Sequence, residues 1–348
     1  MIGTGESLAT PFLISGSPQT KGFNRFPKPL LKTAEWLSGL HCCQKLYDQL
    51  DPALSSELFP ALALEKLAVD YRVTEHEINR IPKRGPCILI ANHPFGGIEG
   101  LVLIDLLSKR RPDFKVMANS ILTRIPQLRE RLISVDPFGG ETAARTNIIP
   151  LRQALNLLKQ GGLLVIFPAG EVSSRQTGQT EVMDPDWSST LPRLVRMSKA
   201  PVLPVYFPGD NGRLFQLAGR IHPRLRTALL PRMLLNKRGG NLTLKIGNLL
   251  PSKKLQSFTS DQELKDYLRL RTYALELVNL IRPRPSAETQ RAAQHPVIAA
   301  QPGKQLAAEI SNLPQQQLLQ SGEFEVLSFQ AEQAPCLLQE IGRLRELT

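Results

Sequence analysis

The stretch "ANHPFGGIEG", residues 91–100, sets a histidine directly after an apolar run, then a proline, a glycine pair and a glutamate. Gly96 and Gly97 let the chain turn tightly, which puts Glu99 in the first turn of a following helix, able to face back toward His93. A carboxylate against one imidazole nitrogen fixes the tautomer and raises the basicity of the other, the arrangement of a general base. A plainer account has His93 only ending a strand and Glu99 only complementing a helix dipole, and the local pattern leaves both open. A second stretch, "FPAGEVSS" at 167–174, is small and polar. Ser173, Ser174 and the backbone amides there either line a substrate pocket or simply make a turn. A third, "DPFGGETAARTN" at 136–147, adds another glycine pair and two arginines that suit an anion or plain solvation.

Positioning such residues needs strands that end where helices begin. "CILIAN" is a short, continuous apolar run rich in branched residues, as expected of a strand buried on both faces. "EGLVLIDLLSK" follows as a helix, and "FKVMAN" and "LISVDPF" as strands around a helical stretch from Leu122 to Arg131. "PLRQALNLLKQ" starts near Pro150 and stops at Gly161-Gly162, the proline-start and glycine-stop asymmetry of helices. "LLVIFPAG", "TLPRLVRMSK" and "PVLPVYFPG" continue as strand, helix, strand. This alternation predicts an α/β architecture with a mainly parallel or mixed sheet flanked by helices. In such sheets ligands bind at the carboxyl ends of strands, where His93 falls.

Outside this core, residues 1–28 read as an irregular lead-in, Pro29–Leu50 as one amphipathic helix and Ser55–Val69 as a second. A polar segment spans Arg72 to Lys83. After a basic, irregular stretch, "NLTLKIGNLL" is predicted to close the sheet. Ser260 with Glu263 forms a capping-box signature for a helix to about Ile281. "RPRPSAETQRAAQHPVIAAQPGK" reads as a linker. The last segment, 305–348, holds two basic and six acidic residues, so the basic character belongs to the α/β part.

A net charge of +12 implies an acidic partner: nucleic acid, an anionic membrane surface or an acidic protein. Aromatics are only 6% and nowhere interleave with basic residues, which argues against nucleic acid. Cys42, Cys43, Cys87 and Cys336 suggest neither a disulfide framework nor a zinc motif, and point to a reducing compartment. His41 beside Cys42 and Cys43 cannot converge on one ion, because adjacent helical residues point apart. The opening lacks the basic start of a signal peptide, and no apolar stretch approaches ~20 residues, so membrane contact is expected to be peripheral. There is no Gly-x-Ser-x-Gly elbow, phosphate-binding loop, His-Glu-x-x-His or dinucleotide glycine fingerprint, which weakens the hydrolase, nucleotide, zinc-protease and dehydrogenase classes.

Taken in order, these stretches resemble the glycerolipid acyltransferase superfamily, the PlsC-like enzymes typified by lysophosphatidic acid acyltransferase. The family's first block is Asn-His, four residues, then Asp; here Asn92-His93 is followed by five residues and Glu99. With the acid one place later and "FPAGEVSS" following, the chain is similar to the branch called hemolysins, related to O-acyltransferases of ornithine-lipid synthesis. No segment has the length or alternation to form a pore. The resemblance covers about residues 65–283, including "APVLPVYFPGDNG" as the fourth block. In the third block, usually Phe-Pro-Glu-Gly-Thr-Arg-Ser, Ala169 replaces the glutamate, Glu171 the threonine and Val172 the arginine. The tail resembles the opening of an acetyltransferase-like N-acyltransferase domain.

The resemblance implies a PlsC-like sandwich at 65–283, preceded by a lead-in with N-terminal amphipathic helices at 1–64. A linker at 284–304 and an incomplete N-acyltransferase-like segment at 305–348 follow. It further implies that His93 takes a hydroxyl proton while Glu99 orients it, and that amides near Gly96, Gly97 or Gly170 meet the oxyanion. Asn92, Arg145, Phe167, Pro168, Glu171, Ser173, Ser174 and Arg175 complete the substrate contacts, with no metal or cofactor. The implied donor is acyl carrier protein or acyl-CoA. The implied acceptor is a lysolipid held at an anionic surface, the cytoplasmic face of a bacterial inner membrane. The family arginine is associated with the acceptor's phosphate. Val172 and Glu171 in its place therefore favour a lyso-amino-acid lipid such as lyso-ornithine lipid and disfavour a phosphate, unless Arg145 or Arg175 reaches in to neutralise that phosphate. A phosphate-bearing acceptor, as in 1-acylglycerol-3-phosphate acyltransferase, and a non-catalytic lipid or carrier-protein module are the alternatives.

Overall fold

The apolar runs assemble as one six-stranded sheet. The computed structural model describes residues 10–14, 27–135, 148–175, 181–221, 223–281, 298–313, 317–321, 324–327 and 329–347. Its strands are β1 (Asp70–Arg72), β2 (Cys87–Ala91), β3 (Phe114–Asn119), β4 (Leu132–Val135), β5 (Leu163–Ile166), β6 (Ser174–Arg175), β7 (Val182–Met183), β8 (Val202–Tyr206), β9 (Asn241–Thr243) and β10 (Lys245–Ile246). The main sheet runs β10-β8-β2-β5-β3-β4, parallel throughout except for the edge strand β10.

Strand β2 lies near the middle and is buried at every position. Successive side chains point to opposite faces. Cys87, Leu89 and Ala91 therefore join one apolar core, with Phe59, Val102 and Leu103, while Ile88 and Ile90 join the other, with Leu158, Leu194 and Leu268. Helices α1 (Lys28–Ser38), α2 (Leu40–Tyr47), α3 (Phe59–Lys66), α4 (Glu75–Ile78) and α5 (Ile98–Ser108) come from the amino-terminal part. Helices α6 (Ile148–Lys159), α7 (Thr190–Ser198), α8 (Gly212–Ile221), α9 (Pro223–Asn236), α10 (Ser252–Gln256) and α11 (Asp261–Ile281) complete the layers. Helix α5 buries Ile98, Val102, Leu103, Ile104, Leu106 and Leu107, each worth about 1.5–3 kcal/mol relative to exposure. Its amino end is therefore a firm platform for the residues that precede it.

Four expectations change. The single helix over Pro29–Leu50 breaks at Gly39, where φ is 84°; a Cβ there would meet the backbone of Arg232 at 3.1 Å, so the break lets α9 approach. Leu122–Arg131 forms two 3₁₀ helices, Ser120–Arg124 and Pro126–Arg131. "NLTLKIGNLL" splits: Asn241–Thr243 pairs in parallel with Asp70–Arg72 in a separate two-stranded sheet, and only Lys245–Ile246 joins the main one. The basic stretch read as irregular holds α8 and α9, which pack on each other. The capping box is present, with Glu263 N donating to Ser260 Oγ at 3.1 Å and Ser260 N to Glu263 Oε2 at 3.4 Å.

The chain divides into two compact units, residues 1–282 and 283–348. In the second, helix α12 (Gly303–Asn312) precedes a hairpin of β11 (Gln317–Ser321) and β12 (Phe324–Leu327), then helix α13 (Pro335–Leu347). Glu309 accepts from the Cys336 and Leu337 amides at 3.0 and 2.8 Å, fixing the start of α13. Most of the expected linker lies outside the described residues.

Candidate active site

The chain leaves β2 through Asn92, which is buried and bonds the neighbouring strand's exit in both directions. Its Nδ2 donates to Phe207 O at 2.8 Å, and Phe207 N donates to its Oδ1 at 2.7 Å. His93 is held through its backbone: its amide donates to Asp184 Oδ1 at 3.1 Å and its carbonyl accepts from Ser173 N at 2.8 Å. The imidazole packs on Phe167 with ring centroids 4.4 Å apart, yet its side chain stays 17% exposed, so a reactant can reach it.

The turn that follows requires one of its two glycines. Gly96 has φ 108°, a region that L side chains rarely adopt, whereas Gly97 has φ −95° and opens α5 with free space around it. The turn aims Glu99 backward. Its Oε1 accepts from Phe95 N at 2.6 Å and Gly96 N at 3.2 Å, and lies 3.5 Å from His93 Nδ1, an ion-pair distance. The structure thus joins the two accounts of Glu99: it sits in the first turn of α5 and it faces the histidine. Burial would raise this fully buried carboxyl, but the positive form of the facing imidazole and the Phe95 amide outweigh it, and the net direction is downward.

The "FPAGEVSS" segment runs beside this turn. Pro168 is buried, while Gly170 and Glu171 are exposed. Val172 is buried with Phe215 and Met233 in a small apolar cluster, so the position where the resembled block carries arginine points into packing. Ser173 and Ser174 are buried, and the Ser173 hydroxyl donates to Asp184 Oδ1 at 2.5 Å. Arg175 is exposed, its amide held by Gln216 Oε1 at 2.8 Å. Arg145 lies outside the described residues. Among the described residues Glu171 pairs with Arg226 of α9, whose Nη2 donates to Glu171 Oε2 at 2.6 Å. The bare negative charge expected at 171 is therefore half of an ion pair. Two of the three amides expected to meet an oxyanion are already spent: Gly96 N on Glu99 and Gly170 N on Phe167 O at 3.0 Å. Gly97 and the first turn of α5 remain, with no side-chain cap.

Asp184 was not foreseen from the sequence. It is fully buried, and besides His93 and Ser173 it accepts from Trp187 Nε1 at 3.0 Å. Its backbone is tied to α11, the amide donating to Tyr273 Oη at 2.9 Å and the carbonyl accepting from Arg269 Nη2 at 2.7 Å. Burial pushes its carboxyl up, against the pull of these donors. No spacing links residue 184 to 93, and "DPDW" has no periodicity to mark it. Arg226 was hidden in the same way, within a stretch that reads as generally basic. Among the described residues, no group of three or more His, Cys, Asp or Glu side chains is arranged to hold a metal ion.

Comparison with known proteins extends this geometry. The chain is 26% identical over 190 residues to a lyso-glycine lipid O-acyltransferase of Phocaeicola vulgatus, covering 53% of this chain and 66% of that protein. It is 28% identical over 149 residues to a protein of the same name from Bacteroides thetaiotaomicron, covering 42% and 52%. The chain thus spans between about half and two thirds of the length of these relatives. Among solved structures, the 1-acyl-sn-glycerophosphate acyltransferase PlsC of Thermotoga maritima aligns with a TM-score of 0.43 at 19% identity, over 66% of this chain and 80% of that one. The family model described as acyltransferase matches residues 57–279, a span that holds His93, Glu99, Asp184 and the strands that carry them, and the chain belongs to that acyltransferase family.

Proposed function

We propose that the chain is a peripheral O-acyltransferase that moves a fatty acyl group from a thioester to the hydroxyl of a lyso-amino-acid lipid. The observation that carries this reading is His93 Nδ1 facing the buried Glu99 carboxylate at 3.5 Å, at the carboxyl end of a central parallel strand. With Nδ1 turned to Glu99, Nε2 takes the acceptor's hydroxyl proton as the oxygen attacks the thioester carbonyl. The tetrahedral intermediate then collapses, the C–S bond breaks, and the same proton passes to the leaving sulfur, giving an ester and a free thiol. Base catalysis of this kind supplies ~10²–10⁴ in rate. The Gly97 amide and the amino end of α5 lie beside His93 and suit the transient oxyanion.

The donor we favour is acyl carrier protein, with acyl-CoA as the small-molecule equivalent. For the acceptor, the apolar burial of Val172 leaves the third block without a cation for a phosphate at that position. The two curated relatives named for lyso-glycine lipid support an amino-acid head group, whether glycine or ornithine. Among the described residues no helix is long and apolar enough to cross a membrane. Three adjoining helices instead expose large apolar side chains: Leu30, Trp36 and Leu37 on α1, Leu214 and Leu217 on α8, and Leu225 on α9. Together with the net charge of +12 they suit the surface of an anionic bilayer, from which a lysolipid would be drawn.

The test is lipid mass spectrometry of cells producing the chain or its His93→Ala variant, followed by transfer assays with purified protein. Acylated amino-acid lipid should accumulate with the parent and fall by at least ~10² with the variant. Preference for lysophosphatidic acid would reassign the acceptor, and equal turnover by both proteins would end the mechanism. Flotation with liposomes should weaken as salt rises.

A further inference from the structure

Glu171 and Arg226 come from segments far apart in sequence and meet beside the His93 turn. The side chain of Val172, next to Glu171, and that of Leu230, one helical turn after Arg226, both close on Gly96: a Cβ there would lie 3.5 Å from Val172 Cγ2 and 2.9 Å from Leu230 Cδ2. Ser173, two residues past Glu171, donates its amide to the His93 carbonyl. Residues adjoining each half of the ion pair, Val172 beside Glu171 and Leu230 one turn on from Arg226, thus pack on the turn that aims Glu99. Its two halves differ in access. The Glu171 side chain is 46% exposed, whereas Arg226 is 15% exposed and runs across Gly219 of α8, where a Cβ would come within 3.3 Å of Arg226 Cδ. A guanidinium has five N–H donors in a planar fork, and among the described residues its one hydrogen bond is to Glu171.

We infer that the Glu171–Arg226 pair is the head-group clamp for the acceptor, with Arg226 binding the amino-acid carboxylate and Glu171 acting as a displaceable counter-ion. This rests on the acceptor class proposed above. An N-acylated amino acid keeps its carboxylate and loses its α-ammonium, so a glycine head group presents a single negative charge. Such a group takes the Arg226 fork and turns the exposed Glu171 aside toward water. An ornithine head group adds a side-chain ammonium, which Glu171 then pairs, so a zwitterion meets an ion pair of opposite order. A phosphate dianion would add two negative charges to a pair whose net charge is zero, and is the poorest fit of the three. The clamp thus sets acceptor choice without touching the reacting atoms.

On lyso-glycine lipid the two residues should answer substitution with opposite signs, which a merely structural ion pair would not. The purified 348-residue chain is assayed with an acyl thioester and three acceptors: lyso-glycine lipid, its methyl ester and lyso-ornithine lipid. Arg226→Gln should raise KM for lyso-glycine lipid about 10-fold or more, a larger effect than on kcat, while barely moving KM for the uncharged methyl ester; Arg226→Lys should recover part of the loss. Glu171→Gln should lower KM for lyso-glycine lipid, because Arg226 is freed, and raise it for lyso-ornithine lipid. Equal damage to acid and methyl ester, or shifts of the same sign from both variants on both acids, would overturn the clamp while leaving the acceptor class standing. A parent protein that acylates lysophosphatidic acid and neither amino-acid lipid would overturn the acceptor class, and the clamp with it.

Discussion

In Glu99→Gln, the new side chain keeps an oxygen for the Phe95 and Gly96 amides, which Glu99 Oε1 now accepts at 2.6 and 3.2 Å. Its amide nitrogen takes the place of Oε2, which bonds nothing among the described residues. The turn and the start of α5 are thus retained, and what disappears is a negative charge 3.5 Å from His93 Nδ1. At an effective dielectric near 20, two unit charges at that separation attract by about 5 kcal/mol. Only part of the imidazolium charge has developed at the transition state, so roughly 3–4 kcal/mol of stabilisation is lost, a fall of about 10²–10³ in kcat. Thiol release from an acyl thioester in the presence of lyso-amino-acid lipid measures it, with a thermal melt to check folding. The decisive arm is the double variant: once His93→Ala has removed the base, adding Glu99→Gln should cost less than about threefold, because residues acting as a unit are not additive. Unchanged turnover by Glu99→Gln would refute the reasoning. So would a full multiplicative loss on top of His93→Ala, which would locate the effect of Glu99 in the turn and not in the imidazole.

Asp184→Asn must set an NH₂ group either against the Trp187 indole at the Oδ2 position or against both the His93 amide and the Ser173 hydroxyl at the Oδ1 position. We predict a loss of about 1–3 kcal/mol in denaturant unfolding together with slower transfer; parent-like stability would show that the site tolerates the clash. Arg111 is buried and donates to Asp113 and to the carbonyls of Pro82, Gly85 and Gly161, so Arg111→Ala should cost about 3–5 kcal/mol while leaving kcat of the folded fraction near the parent value. The Glu99 carboxyl is held below its ordinary 4.5, so its contribution to stability is complete above that pH and is lost as pH falls toward the depressed value. Urea midpoints should accordingly drop less steeply below pH 4.5 in Glu99→Gln than in the parent, and parallel curves would contradict this. Ending the chain at Arg282, the boundary of the first unit, should leave acyl transfer intact, and an insoluble or inactive product would show that residues beyond it are needed.

The strands were legible because their physics is local. Cys87–Ala91 and Leu163–Ile166 are unbroken apolar runs that only two-sided burial explains, and the proline and glycine at the ends of α6 mark it without reference to anything distant. His93 and Glu99 were legible for the same reason, since six positions and a glycine turn bring them together. The helical hairpin of α8 and α9 was not. Its arginines mask the apolar spacing of Phe215, Leu229, Leu230 and Met233, and Pro231 falls inside α9. The division of "NLTLKIGNLL" between two sheets depends on Asp70–Arg72, a partner that no local pattern identifies. Asp184 and Arg226 share this property: each matters only for what it touches across the fold.

The route by which His93 is fixed has a consequence in time. His93 waits for Asp184, 91 residues downstream, and Asp184 waits for Tyr273, a further 89. A ribosome adding about 5–20 residues per second therefore releases the Asn-His turn roughly 10–40 s before the last of its supports. During that interval β2 can pair with β5, but the turn carries an unsupported histidine beside a carboxylate that still lacks its final surroundings. A chain broken anywhere short of the codons for α11 would lack the Tyr273 hydroxyl that holds the Asp184 amide, the last link in the chain of bonds that reaches His93.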